Sequence, residues 1–167
     1  MVSSRKENGV ATGPLFLWRR ATSGDAQLLL DWRNDPISVL NSKSGATVSP
    51  QEHARWFQAA LKSENTMLFI AEMDQRPIAT TRFDRADANS SNFVVSINVS
   101  PNQRGKGLGS ELLRSAVLEF QGLKKANLVA EIRHGNVASE KIFKSAGFVE
   151  SGAQGSFKQF IYFADHA

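Results

Sequence analysis

The sequence predicts an α+β domain, with a mixed, mostly antiparallel central sheet of about six or seven strands and about four helices. Three observations carry that expectation. The run TMLFIAEMDQRPIATTRFDRAD (66–87) sets two apolar strands either side of a polar turn at 74–77, a hairpin. The second half of the chain alternates strand, helix, strand, helix, which demands a parallel pair inside the sheet. At 167 residues, with no repeat and no internal linker, the chain suits one domain with its own core.

Taken in order, residues 1–13 are polar, stop before Pro14 and are expected as a flexible tail, leaving 14–167 as the domain. LFLWRR (15–20) is a short strand. Ser23 then caps a helix with Ala26, Leu29, Leu30 and Arg33 on one face, stopped by Pro36. Beyond a polar loop at 41–50, Ser49 caps a second helix, with Pro50 at its first position and Glu52 in its first turn. Its apolar positions are Ala54, Phe57 and Leu61. The hairpin strands fall near 66–73 and 78–85. In FVVSINV (93–99), Phe93, Val95, Ile97 and Val99 share one face, and Val94, Ser96 and Asn98 the other. Leu108, Leu112, Leu113, Ala116, Val117 and Phe120 form a helical stripe ending at Gly122. ANLVAEI is the next strand and VASEKIFKSA the next helix, closed by Gly147. Two strands follow, near 148–151 and 157–163.

Composition removes several classes of function. No apolar run approaches the roughly 20 residues that span a bilayer, and no apolar stretch follows the charges at the start, so neither a membrane nor a secretory signal is expected. With no cysteine there can be no disulfide, thiolate metal site or cysteine nucleophile, and no metal is expected. A cytoplasmic location fits that composition. The net charge is +4, from 20 Lys+Arg against 16 Asp+Glu. Its cations are scattered, without a like-charge block or a basic stripe interleaved with aromatics, so no nucleic-acid partner is expected.

The chemistry concentrates at Arg104-Gly105-Lys106-Gly107-Leu108-Gly109, between a strand and a helix. A glycine-rich turn leading into a helix N-terminus presents amides to an anion, with the helix dipole behind them. A P-loop is excluded, because no Gly-Lys here precedes Ser or Thr. A dinucleotide fingerprint would use Gly105 and Gly107 but meets Ser110 at its third glycine. Glu131 keeps that reading open, although too little chain follows for the usual sheet. A plain surface turn is the remaining structural alternative.

The loop also matches Q/R-x-x-G-x-G/A. INV precedes it, and NVASEKIFKSAGF (136–148) follows with Asn136, Ser139, Phe143, Gly147 and Phe148 in N-x-x-[AS]-x(3)-[YF]-x(3)-GF order. Together these resemble the acyl-CoA-binding motifs of the GNAT superfamily of N-acetyltransferases, over about 93–148. The resemblance implies a GNAT-like domain, acetyl-CoA as cosubstrate, and transfer to a primary amine. It places the acyl donor against Ile97, Val99, Arg104, Gly105, Lys106, Gly107, Leu108, Gly109, Ser110, Asn136, Ser139 and Phe143. Val99 N–H would be the oxyanion donor, and Asn136 would bond the pantetheine arm unless it only ends the strand. Phe143 stands where the family usually has a tyrosine that protonates the thiolate. For the general base, Glu131 and His53 are the candidates, with a solvated or salt-bridged carboxylate as the alternative for Glu131; His134 reads as a surface residue.

W-R-N-D followed by E-H-x-x-W-F resembles a GNAT branch that acetylates nucleotide-linked amino sugars, including enzymes of the pseudaminic acid pathway. The positions carried over are Trp32, Arg33, Asn34, Glu52, His53, Trp56 and Phe57, with Arg82 on a neighbouring strand. Trp32, Trp56 and Phe57 are equally well read as core residues of two packed helices. Arg19, Arg33, Arg82 and Arg85 favour an anionic acceptor. Two alternatives stay open: a ribosomal-protein-type N-terminal amine acetyltransferase, and a catalytically silent CoA-sensing or DNA-binding module. A homodimer is a further implication of the family resemblance.

Overall fold

The computed structural model describes residues 4–7 and 10–164. Strands β1 (Ser4–Glu7) and β2 (Val10–Pro14) pair antiparallel as a small sheet of their own, within the segment expected as a loose tail. The main sheet begins at β3 (Leu17–Arg20). Helices α1 (Ala26–Asn34), α2 (Pro36–Asn41) and α3 (Pro50–Lys62) follow. Next come β4 (Thr66–Met73), β5 (Arg76–Arg85), β6 (Phe93–Val99) and α4 (Gly109–Leu123). The chain closes with β7 (Leu128–Arg133), α5 (Val137–Ser145), β8 (Val149–Gln154) and β9 (Phe157–Tyr162). The seven strands of the main sheet run in the order β3-β4-β5-β6-β7-β9-β8, antiparallel except for the β6–β7 pair. The mixed sheet, its parallel pair and the single domain are therefore as expected. Among the described residues no helix is long and apolar enough to cross a membrane, and no acidic or histidine cluster could hold a metal.

α1 ends at Asn34, just before Pro36 as expected, but Pro36 also opens a further short helix that was not expected, because proline lacks only an N–H that the first helical position cannot use. Asp35 caps this α2, accepting from the amides of Ile37 and Ser38. α3 begins with a reciprocal capping box: Glu52 N donates to Ser49 Oγ at 3.2 Å, and Ser49 N to the Glu52 carboxylate at 3.1 Å.

Alternation along the strands gives the sheet two buried faces. Met67, Phe69, Phe83, Val95, Leu128, Ala130 and Ile132 pack under α4 and α5, with Phe83 stacked on Phe120 at 4.4 Å. Leu68 and Ile70, of opposite parity, pack under α1 and α3 against Leu29, Trp32 and Phe57. Arg82, paired with Leu68 and Ser96, lies on this second face, as do Glu131 and Arg133.

Candidate functional site

β6 and β7 are paired only at Phe93–Leu128 and Val94–Val129, and beyond those residues they separate. What faces the split follows from the other side of β6. Val99 lies opposite Ala79, yet Ser100 N donates to Ile78 O at 2.8 Å. That offset marks Val99–Ala79 as a non-hydrogen-bonded pair. Two residues back, Ile97–Thr81 is another. The N–H and C=O of Ile97 and the N–H of Val99 therefore point away from β5, into the split.

The glycine turn closes the end of this gap. Gly105 and Gly107 hold φ of +73° and +74°, the left-handed region that glycine alone enters without strain. Nothing lies within 4 Å of where their Cβ atoms would stand. Among the described residues no acceptor meets the amides from 107 to 111, so a run of N–H donors faces open space at the start of α4. A pyrophosphate fits that donor set. The remaining motif residues do other work. A Cβ on Gly109 would stand 2.5 Å from Ile142 Cδ1, so this glycine serves the approach of α4 to α5. Leu108 is buried beneath the turn, and Lys106 is exposed, bonded to Gln103 at 3.3 Å.

Arg104 differs from expectation. Its side chain turns back into the protein, donating to Val99 O at 3.0 Å, Asp35 at 2.5 Å, Ser38 Oγ at 2.9 Å and Asn98 Oδ1 at 3.1 Å. Asn98 Nδ2 donates in turn to Trp32 O at 3.2 Å. The arginine thus ties the glycine turn to the end of β6 and to α1 and α2, rather than offering its charge to an anion. The hydrogen bond from Arg104 holds the Asp35 carboxyl below its ordinary pKa.

Asn136 caps α5 by accepting from Ser139 N at 3.2 Å, while its Nδ2 has no protein acceptor among the described residues. Phe143 is a core residue, 4% exposed and edge-on to Phe148 at 5.0 Å, so its ring packs the far wall instead of reaching a ligand. The chain's one tyrosine does not replace the missing acid. Tyr162 lies opposite Leu128, where β6 and β7 are still paired. The open end at Arg133 is five residues further on, about 17 Å along a strand.

Across the sheet, the W-R-N-D and E-H-x-x-W-F residues divide. Trp32 and Phe57 are core, 6% and 2% exposed. Asn34 copies a strand neighbour, its amide both donating to Val48 O and accepting from Val48 N at 2.8 Å. Glu52 belongs to the helix cap. Arg19 is bidentate on Asp25 at 2.8 Å and bonded to Glu72 at 2.7 Å, and Arg85 holds Asn65 and Ser90. Those two cations are therefore not available to an acceptor.

Arg33, His53, Trp56, Arg82 and Glu131 remain. Arg33 donates through Nη2 to Ser44 Oγ and Ala46 O at 3.1 and 3.2 Å, while its buried Nη1 has no acceptor. Burial, and then the neighbouring Arg82 charge, disfavour the Arg33 cation. Arg82 lies 5.2 Å over the Trp56 ring; its Nε makes an ion-pair contact of 2.6 Å with Asp84 that leaves the N–H without a hydrogen-bond acceptor. His53 is 4% exposed, stacked on Phe57 at 5.7 Å, and burial pushes its pKa down, so the ring is neutral at pH 7. Glu131 is paired with Lys43, and Arg133 Nη2 donates to Ser42 O at 2.6 Å. Lys43 and Arg133 carry no local motif, and Asp35, the last residue of W-R-N-D, was given no role from the sequence.

The chain matches the acetyltransferase (GNAT) domain family over residues 16–149. A Bacillus subtilis protein, YwnH, assigned provisionally as a phosphinothricin acetyltransferase, is 32% identical over 109 residues. That match covers 63% of this chain and 66% of YwnH, so it spans just under two thirds of the relative's length. Among solved structures, spermidine N-acetyltransferase from Vibrio cholerae, in complex with CoA and spermine, matches at TM-score 0.79 and 15% identity, covering 90% of this chain and 96% of that one. An aminoglycoside acetyltransferase in complex with coenzyme A matches at TM-score 0.76 and 19% identity, covering 89% and 94%. At these identities both likenesses are of fold. A structure assigned provisionally as a phosphinothricin N-acetyltransferase matches at TM-score 0.73 and 26% identity, covering 87% and 95%.

Proposed function

The chain belongs to the GNAT acetyltransferase family, and from that premise we propose that it transfers the acetyl group of acetyl-CoA to a primary amine. The observation that carries the donor half is the β6–β7 split, whose unpaired backbone groups run into the partnerless amides of the glycine turn. For the acceptor we propose a small molecule bearing negative charge, with a nucleotide-linked amino sugar as the specific case. Arg33, whose buried Nη1 lacks an acceptor, supports that half, with the Arg82 charge beside it. A cationic peptide terminus or a polyamine would meet the wrong sign of charge.

Bound acetyl-CoA supplies a thioester carbonyl to the acceptor amine. Val99 N–H donates to the carbonyl oxygen as negative charge develops there. Glu131 takes the proton that the amine must lose, directly or through water. Phe143 has no proton to give, and a CoA thiolate needs little acid assistance, so solvent protonates it. Trp56 and the neutral His53 ring form one wall of the acceptor cleft.

A thermal-shift titration with acetyl-CoA tests the donor half. A ligand at about 100 times its Kd adds roughly 2.7 kcal/mol, which in a chain of this size raises Tm by roughly 5–10 °C. Thiol release with UDP- and dTDP-linked amino sugars, phosphinothricin and spermidine then ranks acceptors. The expected result is an acetyl-CoA shift with the anionic amines favoured. An absent shift overturns the donor half, and preference for spermidine overturns the acceptor half.

A further inference from the structure

Residues 42–49, which join α2 to α3, cross the cleft face without burying any side chain between 43 and 47. The segment is held at its ends by Arg133 Nη2 on Ser42 O at 2.6 Å and by Asn34 on Val48 N and O at 2.8 Å. Between those ends, two ties use charged groups assigned to the acceptor. Lys43 places its ammonium on Glu131. Ser44 Oγ and Ala46 O accept from Arg33 Nη2. The segment thus offers the cleft a cation for its carboxylate and oxygens for its guanidinium.

Both ties are weak ones. The Lys43 side chain is 69% exposed, and an ion pair so open to water holds little. Arg33 donates only to neutral oxygens, and through one nitrogen, while its Nη1 stays buried without an acceptor. An anionic oxygen group makes shorter and stronger bonds to a guanidinium than a hydroxyl or a peptide carbonyl does. It would also satisfy the Arg33 Nη1 that the segment leaves bare.

We propose that the acceptor is one molecule carrying both an ammonium and an anionic oxygen group, and that residues 43–47, between the ends held by Arg133 and Asn34, form a strap which those two charges displace. Lys43 and Ser44 are adjacent, with Cα atoms about 3.8 Å apart, so both latches lie within reach of one small molecule and open together. The inference deepens the acetyl-transfer reading and rests on it. The acceptor's ammonium takes the place of Lys43 on Glu131 and loses one proton to water there. Glu131 takes the second as the C–N bond forms and the C–S bond breaks, and solvent protonates the CoA thiolate. The strap leaves Arg33 to the anion.

Hydrogen exchange across 43–47 in the full chain tests the strap without any turnover. The Lys43→Met variant is expected to exchange this segment at least fivefold faster than the wild type. In the wild type, phosphinothricin or a UDP-linked amino sugar should release the segment, whereas 1,4-diaminobutane alone or inorganic phosphate alone should not. In steady-state assays with whichever two-charge probe is acetylated, Lys43→Met should lower its KM several-fold at unchanged kcat. Unchanged exchange in the variant overturns the strap. A fall in kcat with KM constant makes Lys43 a positioning residue for Glu131 and overturns its role as a competitor. Equal use of 1,4-diaminobutane overturns the two-charge acceptor. Failure of the acetyl-transfer reading shows separately, as no acetyl-CoA binding and no acetylated amine, and the exchange comparison still decides the strap.

Discussion

In the proposed donor gap the groups offered to a ligand are peptide: Ile97 N–H and C=O, Val99 N–H, and the amides from 107 to 111. On the proposed acceptor side they are side chains from separate elements: Arg33 from α1, His53 and Trp56 from α3, Arg82 from β5, Glu131 from β7. The difference decides how each can vary. A peptide-lined gap depends on backbone path, which few residues control and almost any side chain elsewhere respects. A side-chain cleft can be rewritten one residue at a time while the sheet stays as it is.

The sharpest way to break this contrast is to spoil the backbone path. Gly107→Trp puts a non-glycine residue at φ +74° and an indole where no protein atom lies within 4 Å. The strain is of order 1–2 kcal/mol, which the fold survives, but acetyl-CoA binding should fall beyond calorimetric detection, by more than about 100-fold. A Kd within tenfold of wild type would mean the turn does not hold the donor. Gly109→Ala, two residues on, should instead lower Tm and spare binding, because its Cβ meets Ile142 and not ligand space.

Next in size is Glu131→Gln, which keeps the shape and removes the base. A general base is typically worth about 10²–10⁴ in rate, so kcat should drop into that range with acetyl-CoA affinity unchanged by calorimetry. A loss smaller than tenfold would return Glu131 to the part of a strand carboxylate paired with a lysine. Arg33→Met is smaller again. Losing one charged hydrogen bond, about 1.5–3 kcal/mol, should raise acceptor KM roughly tenfold or more, and acetyl-CoA affinity should not move. A change in donor affinity would show that the two regions are less separable than their construction implies.

The same contrast explains what could be read from the sequence. The strand order, the parallel pair and the turn were legible because glycines at positive φ, caps and alternation are local signals. The acceptor residues were legible only as a list of residue types. Trp32 and Phe57 read equally well as cleft or core aromatics and are core; Asn34 and Glu52, carried over with the acceptor motif, hold a loop and a helix cap. Each forms its contacts through tertiary packing, which spacing along one helix does not encode. Lys43 meets Glu131 across 88 positions, and Arg104 meets Asp35 across 69. No pattern within a single element marks either pair. Phe143 shows the converse: the motif located the position correctly, yet the ring's neighbours make it a packing residue.

Arg104–Asp35 is where the two regions join, and its variant should produce the smallest but most diagnostic effect. Asp35→Asn can keep the helix cap through its side-chain oxygen while removing the charge facing Arg104. Both partners are partly exposed, 18% and 24%, so the pair is worth about 1 kcal/mol after solvent screening, or about 2–4 °C in Tm. Unlike the other variants, this one should weaken both ligands, each by about two- to threefold, since Arg104 ties Val99 to α2. The sign with pH follows from the hydrogen bond that depresses the Asp35 pKa in the folded protein. Such a group adds stability that is fully present above its ordinary value of 3.8 and is lost as pH falls through its folded value. The Tm difference between wild type and Asp35→Asn should therefore be constant at neutral pH and narrow below about pH 4. A difference that persists unchanged into acid would assign the effect to the shape of the cap, and the junction between donor and acceptor sides would then not depend on the charge.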